Sequence, residues 1–137
     1  LNKNTIVLAG DTHNAWANDI YPLNAEGTAI DRSVDPAAVE FATGSITSPG
    51  FERYMGFGSD QAAQQQFEMA ITTMIDDLKY LNAAQRGYMT VTFTPTQASA
   101  VWNFVSTITS SDYSVTTAGP RYVQPGAGNR RIELPAS

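Results

Sequence analysis

A change of hydrophobic period near residue 86 limits the folds open to this chain more than any other feature. Before it, Phe67, Ile71, Met74, Leu78 and Leu81 recur at three- and four-residue steps, the spacing of one apolar helix face. Ser59 or Asp60 stands where an N-cap belongs, so the spacing predicts a helix running from there to about Leu81, with Asn82 near its C-cap. Gln64, Gln65, Glu68, Asp76 and Lys79 then face water, and Met69, Met74 and Met89 take core-like positions. Beyond Arg86-Gly87 the period drops to two. Met89, Val91 and Phe93 alternate with Tyr88, Thr90, Thr92 and Thr94 until Pro95 ends the strand. Ala100, Trp102 and Phe104 alternate in a second strand, and Thr94-Pro95-Thr96-Gln97 is the turn that makes the two a hairpin. A helical period followed by a strand period makes the fold mixed α and β.

The N-terminal third reads differently. Thr5-Ile6-Val7-Leu8-Ala9 is a continuous apolar run stopped by Gly10, the pattern of a short strand buried on both faces. From Asp11 to Asp35 the pattern breaks up into Asn, Asp, Gly and Pro, and long excursions of that kind in compact domains are usually functional. Ala38 to Thr43 reads as another strand, ended by Gly44 and a turn through Ser48-Pro49-Gly50. The tail from Tyr113 to Ser137, with Pro120, Gly126 and Gly128, predicts short edge strands at 121–123 and 131–134. At 137 residues everything fits one domain, residues 1–137, with room for a core.

Composition removes whole classes of function. Eight basic residues are scattered among thirteen acidic ones, so no basic face could neutralise a run of phosphates and nucleic-acid binding by that route is excluded. The absence of cysteine excludes a disulfide framework, a zinc ribbon and a thiol nucleophile. No apolar run approaches the roughly 18 residues of a membrane span. Leu1-Asn2-Lys3-Asn4 has neither the charged nor the apolar region of a signal peptide, so any such signal would lie upstream.

The chemistry concentrates in Gly10-Asp11-Thr12-His13. His13 is the single histidine, and it follows Asp11 just past a strand end, where scaffolds commonly display catalytic groups. A carboxylate can bridge two cations and an imidazole nitrogen can add one more bond, provided the turn is tight. Gly10 would allow a close backbone approach there. The bland alternatives are an aspartate that caps local backbone N–H groups and a structural histidine with both nitrogens satisfied. A triad of Ser45 or Ser48 with His13 and Asp11 can be drawn, but no Gly-x-Ser-x-Gly elbow supports it.

Read as a string, Val7-Leu8-Ala9-Gly10-Asp11-Thr12-His13-Asn14-Ala15-Trp16 resembles the Gly-Asp-x-His-x-x-Trp segment of the PhoD-like alkaline phosphatases and phosphodiesterases. Further matches follow in the family's order: Val39-Glu40-Phe41-Ala42, Ser45 to Gly50, Leu78 to Asn82, Arg86-Gly87-Tyr88, and Thr90 to Pro95 with Trp102. The resemblance extends from about residue 5 to 125. It implies a member of the calcineurin-like metallophosphatase superfamily and an α+β fold, part of a two-sheet α/β/β/α sandwich with one main helix and a C-terminal β-hairpin. It also implies a phosphate-ester substrate, iron and calcium as cofactors, and a periplasmic or extracellular location. Asp11 and His13 fall on the positions of the superfamily's last ligand motif. The resemblance therefore makes Asp11 a metal ligand and His13 a ligand at the same cluster or, as the second reading, a proton carrier to the leaving oxygen at the catalytic centre, with Asn14 a group that supports the ligands or touches the phosphate. Glu40, Trp16 and Arg86 take structural roles.

None of the family's earlier ligand motifs occurs. The expectation is therefore a C-terminal portion of a longer enzyme, inactive alone and disposed to associate with the missing N-terminal portion. The competing expectation is a non-catalytic, β-rich binding or interaction module, for which the Thr/Ser/Gln-rich surface and the hairpin with Tyr88 and Trp102 would speak.

Overall fold

The computed structural model describes residues 4–124 and 129–134. Leu1-Asn2-Lys3, Pro125, Gly126 and Gly128 lie outside the described residues. Two four-stranded sheets and two helices make up the fold. The first sheet contains β1 (Thr5–Ala9), β2 (Ala15–Ile20), β3 (Ala38–Ala42) and β4 (Leu78–Asn82), in the order β1-β3-β2-β4. β1 runs parallel to β3, and β2 runs antiparallel to both of its neighbours. The second sheet is an antiparallel series of β5 (Arg86–Phe93), β6 (Ala98–Val105), β7 (Val115–Gln124) and β8 (Asn129–Glu133). Between β3 and β4 lie the single turn α1 (Phe51–Tyr54) and the main helix α2 (Gln61–Met74).

The core lies between the inner faces of the sheets. Ala15 and Ala17 of β2, with Val39 and Phe41 of β3, meet Ala98, Ala100, Trp102 and Phe104 of β6, Val123 of β7 and Ile132 of β8. The alanines leave the space that Trp102 fills, and Trp102 is wholly buried. Its indole N–H donates to the Ala42 carbonyl at 2.7 Å, so its burial strands no donor. Phe41 meets the indole edge-on at 6.2 Å, and Tyr80 packs on it at 4.6 Å. A second tie is polar: the buried Asp19 of β2 accepts the Ile132 backbone N–H at 2.9 Å. Burial holds its carboxyl above the usual aspartate range, with the Ile132 bond and Lys79 pulling the other way.

On the outer face of the first sheet, Phe67 and Ile71 of α2 pack over Leu78, Leu81, Ala83 and Trp16. Asp60 is the N-cap, accepting the Ala63 N–H at 3.0 Å. Beside the helix a groove of about 370 Å³ remains, lined by Trp16, Phe51, Phe67, Ile71 and Glu40 among others.

The hairpin and the Asp60 cap agree with the sequence pattern, but several expectations need correction. The helix stops at Met74 instead of about Leu81, because Ile75 turns extended (φ −115, ψ 95) and Leu78–Asn82 joins the sheet as β4. A register shift opposite Ala17/Asn18 puts Leu78 and Leu81 on the same face, so a bulged strand imitates helical spacing. Asp76 and Asp77 therefore follow the helix, and Asp77 pairs with Arg32 at 2.7 Å on the surface. Met69 and Met74 are exposed rather than core. The stretch after Asp11 is not all loop, since β2 lies within it, and β7 is far longer than the short edge strand expected. β1 is not buried on both faces. It is the end strand of its sheet, only Ile6 packs on the core, and Leu8 is 54% exposed.

Candidate functional site

Strand order makes the Gly10–Asn14 connection unusual. β3 lies between β1 and β2, so the chain leaving Ala9 must cross the carboxyl end of β3 before Ala15 starts the next strand. The crossing sits where two parallel strands end, a common place for a site in sheets of this kind. It is short, and it is achieved by putting Asp11 (φ 67) and His13 (φ 60) in the left-handed region. That conformation costs an L-residue about 1–2 kcal/mol, and strain of this kind collects at functional positions.

Asn14 locks the turn. It is 3% exposed, its amide N–H donates to the Thr12 carbonyl at 2.8 Å, and its side-chain oxygen accepts the Phe51 N–H at 3.2 Å. The Thr12 hydroxyl adds a bond to the Asn14 carbonyl at 3.1 Å. His13 Nδ1 lies 2.8 Å from the Pro49 carbonyl. A carbonyl only accepts, so Nδ1 carries the proton and Nε2 keeps its lone pair. Asp11 is exposed, and its carboxylate makes no hydrogen bond within the described residues. The turn thus presents one bare carboxylate and one bare imidazole nitrogen, neither spent on capping backbone.

Gly10 is not the glycine that permits close approach: a Cβ there would meet nothing within 4 Å. Gly50 is, since a Cβ on it would sit 2.6 Å from the His13 carbonyl oxygen and 3.0 Å from that of Ala83. The serine triad does not assemble. The Ser45 hydroxyl donates to the Ser48 carbonyl at 2.7 Å, and Pro49 holds the imidazole. Two other carboxylates of this half of the molecule are engaged elsewhere. Glu40 accepts the Trp16 indole N–H at 2.9 Å, and Glu68, its carboxyl held high by burial, accepts the Ala83 N–H at 2.8 Å. Among the described residues no group of three or more His, Cys, Asp or Glu side chains could enclose a metal. No helix among them is long and apolar enough to cross a membrane.

Sequence reasoning picked out Asp11, His13 and Asn14 but missed what positions them. The Pro49 carbonyl and the Gly50 contact arise from a segment whose Ser-Pro-Gly composition signals only a turn.

The family model described as PhoD-like phosphatase matches residues 1–102. No curated protein matches the chain. A solved structure of PhoD is similar over 100% of this chain, with a TM-score of 0.69 and 23% sequence identity, and the chain spans 23% of that structure's length. At that identity the likeness speaks for the fold.

Proposed function

The chain belongs to the PhoD-like phosphatase family, and from that premise we propose that it is the C-terminal part of a metal-dependent phosphoesterase, one that hydrolyses phosphate esters and releases inorganic phosphate. One observation carries the proposal to particular atoms: the doubly left-handed turn offers the Asp11 carboxylate and His13 Nε2, both without hydrogen-bond partners among the described residues, at the ends of two parallel strands. A hard carboxylate beside an imidazole suits calcium or ferric iron, the metals that the family resemblance implies. The donor set fits in kind and falls short in number, since a multi-metal cluster needs about six or more ligand groups. The remaining ligands would come from the rest of a longer chain, in line with the 23% of the PhoD structure that this chain spans. The two sheets and α2 would then be part of an α/β/β/α sandwich. The open groove beside α2 and the half-exposed β1 would be covered by the missing N-terminal portion.

Bound metal supplies positive charge for the phosphate oxygens and a water acidic enough to attack. Asp11 would hold such a metal through its carboxylate oxygens, and His13 would hold it through the Nε2 lone pair, its Nδ1–H being engaged by the Pro49 carbonyl. Asn14, buried and bonded at both ends of its amide, holds the turn instead of touching phosphate. Like its relatives in the family, the parent would work in the periplasm or outside the cell.

The test uses p-nitrophenyl phosphate with added iron and calcium. This chain alone is expected to show no turnover, and the full-length parent to show turnover that Asp11→Asn abolishes. A parent indifferent to Asp11→Asn would sink the assignment.

A further inference from the structure

The part-buried ion pair between Glu52 and Arg86 lies apart from the Asp11–His13 turn, yet hydrogen bonds link the two. The Arg86 guanidinium donates to Glu52 Oε1 and to the Ala84 carbonyl, and both charged side chains are largely covered, Arg86 13% and Glu52 16% exposed. Glu52 Oε1 also accepts the Gly50 N–H at 3.2 Å. That N–H belongs to the same planar peptide unit as the Pro49 carbonyl, the group that bonds His13 Nδ1 at 2.8 Å. In a trans peptide the N–H and C=O point in opposite directions. Fixing one at Glu52 therefore fixes the other toward the imidazole, and pulling on the N–H makes the carbonyl a better acceptor. Gly50 completes the device by allowing its peptide to lie between the His13 and Ala83 carbonyls, where a Cβ would not fit.

We propose that Arg86, Glu52 and Gly50 are positioning residues that set the tautomer and orientation of His13 through the Pro49–Gly50 peptide, leaving Nε2 as the nitrogen available to a metal. A buried ion pair contributes little net stability, so a role in fixing one arrangement is the better account of this one. The proposal rests on the reading of His13 as a ligand only for its consequence in catalysis; the tautomer itself is independent of that reading.

His13 is the single histidine, so long-range proton–nitrogen NMR of this chain, without metal and at a pH where imidazole is neutral, reads its tautomer unambiguously. The expected form is Nδ1–H, opposite to the Nε2–H form that free neutral histidine favours. Glu52→Gln, which keeps the shape but weakens the acceptor, should lower the Nδ1–H share, and Glu52→Ala should lower it further. An Nε2–H imidazole in the unmodified chain would overturn the proposal. So would an unchanged share in Glu52→Gln, the variant that decides if Glu52→Ala fails to fold. In the full-length parent, Glu52→Ala should weaken metal dependence of turnover about 10–100-fold, the usual cost of losing a group that orients a ligand. A tautomer that shifts while the parent's metal dependence stays put would leave the positioning intact and refute His13 as a ligand.

Discussion

The inter-sheet core and the Gly10–Asn14 turn are joined through Ala15, yet they are built on opposite rules. In the core, close packing dominates: Trp102 is buried with its N–H bonded, and Phe41 and Tyr80 close around it, while the buried Tyr80 hydroxyl and Asp19 Oδ2 have no hydrogen-bond partner among the described residues. In the turn two residues hold left-handed dihedrals, and the Asp11 carboxylate and His13 Nε2 have no hydrogen-bond partner among the described residues, while His13 Nδ1 is held by the Pro49 carbonyl. The difference teaches where this chain gains its stability and where it gives some up. A site that must bind something from outside cannot spend its donors on itself.

The largest test of this contrast is Trp102→Ala, which should destabilise the fold by about 3–5 kcal/mol in urea unfolding. A loss below about 1 kcal/mol would mean that the core is not the main support. Asp19→Ala comes next, at about 1–3 kcal/mol, because it leaves the Ile132 N–H buried without an acceptor. Its pH behaviour has a definite sign. Burial raises the Asp19 pKa, so the folded chain binds the proton more tightly than the unfolded one. This group's contribution to stability therefore grows as pH falls through the raised value, and levels off below the unfolded value near 3.8. Asp19→Asn keeps an acceptor for Ile132 and should flatten that part of the profile, measured by urea unfolding between about pH 3 and 7.

Gly50→Ala should cost about 1–2 kcal/mol by crowding the His13 carbonyl, and thermal unfolding would show whether turn and loop are as tightly packed as the geometry implies. The smallest effect should have the opposite sign. Asp11→Gly relieves a left-handed dihedral and should stabilise the chain by roughly 0.5–1 kcal/mol in the same assay, while the proposed function has it abolish turnover in the longer enzyme. A destabilised Asp11→Gly chain would show that the turn is not strained.

The two regions also differed in how far sequence revealed them. The hairpin was legible because Met89, Val91 and Phe93 alternate with Tyr88, Thr90 and Thr92 and Pro95 marks the turn. β2 was hidden because Ala15, Ala17, Asn18 and Asp19 have little strand preference; it is a strand because small residues are needed beneath Trp102. β4 was mistaken for helix because its bulge spaces Leu78 and Leu81 as a helix would. At the site, residue types announced Asp11 and His13. Their support did not show, because Pro49 and Glu52 approach them only through tertiary structure.

The free side of β1 has one more consequence. Among the described residues no strand pairs with it there, and the strand is apolar, has Leu8 open to solvent, and carries no proline or charge to blunt the edge. Such an edge is a template that any extended segment can extend. Purified by itself at high concentration, the chain should lose monomer to strand-added aggregates, and a lysine at position 7 should delay that loss by making the edge repel its own copies.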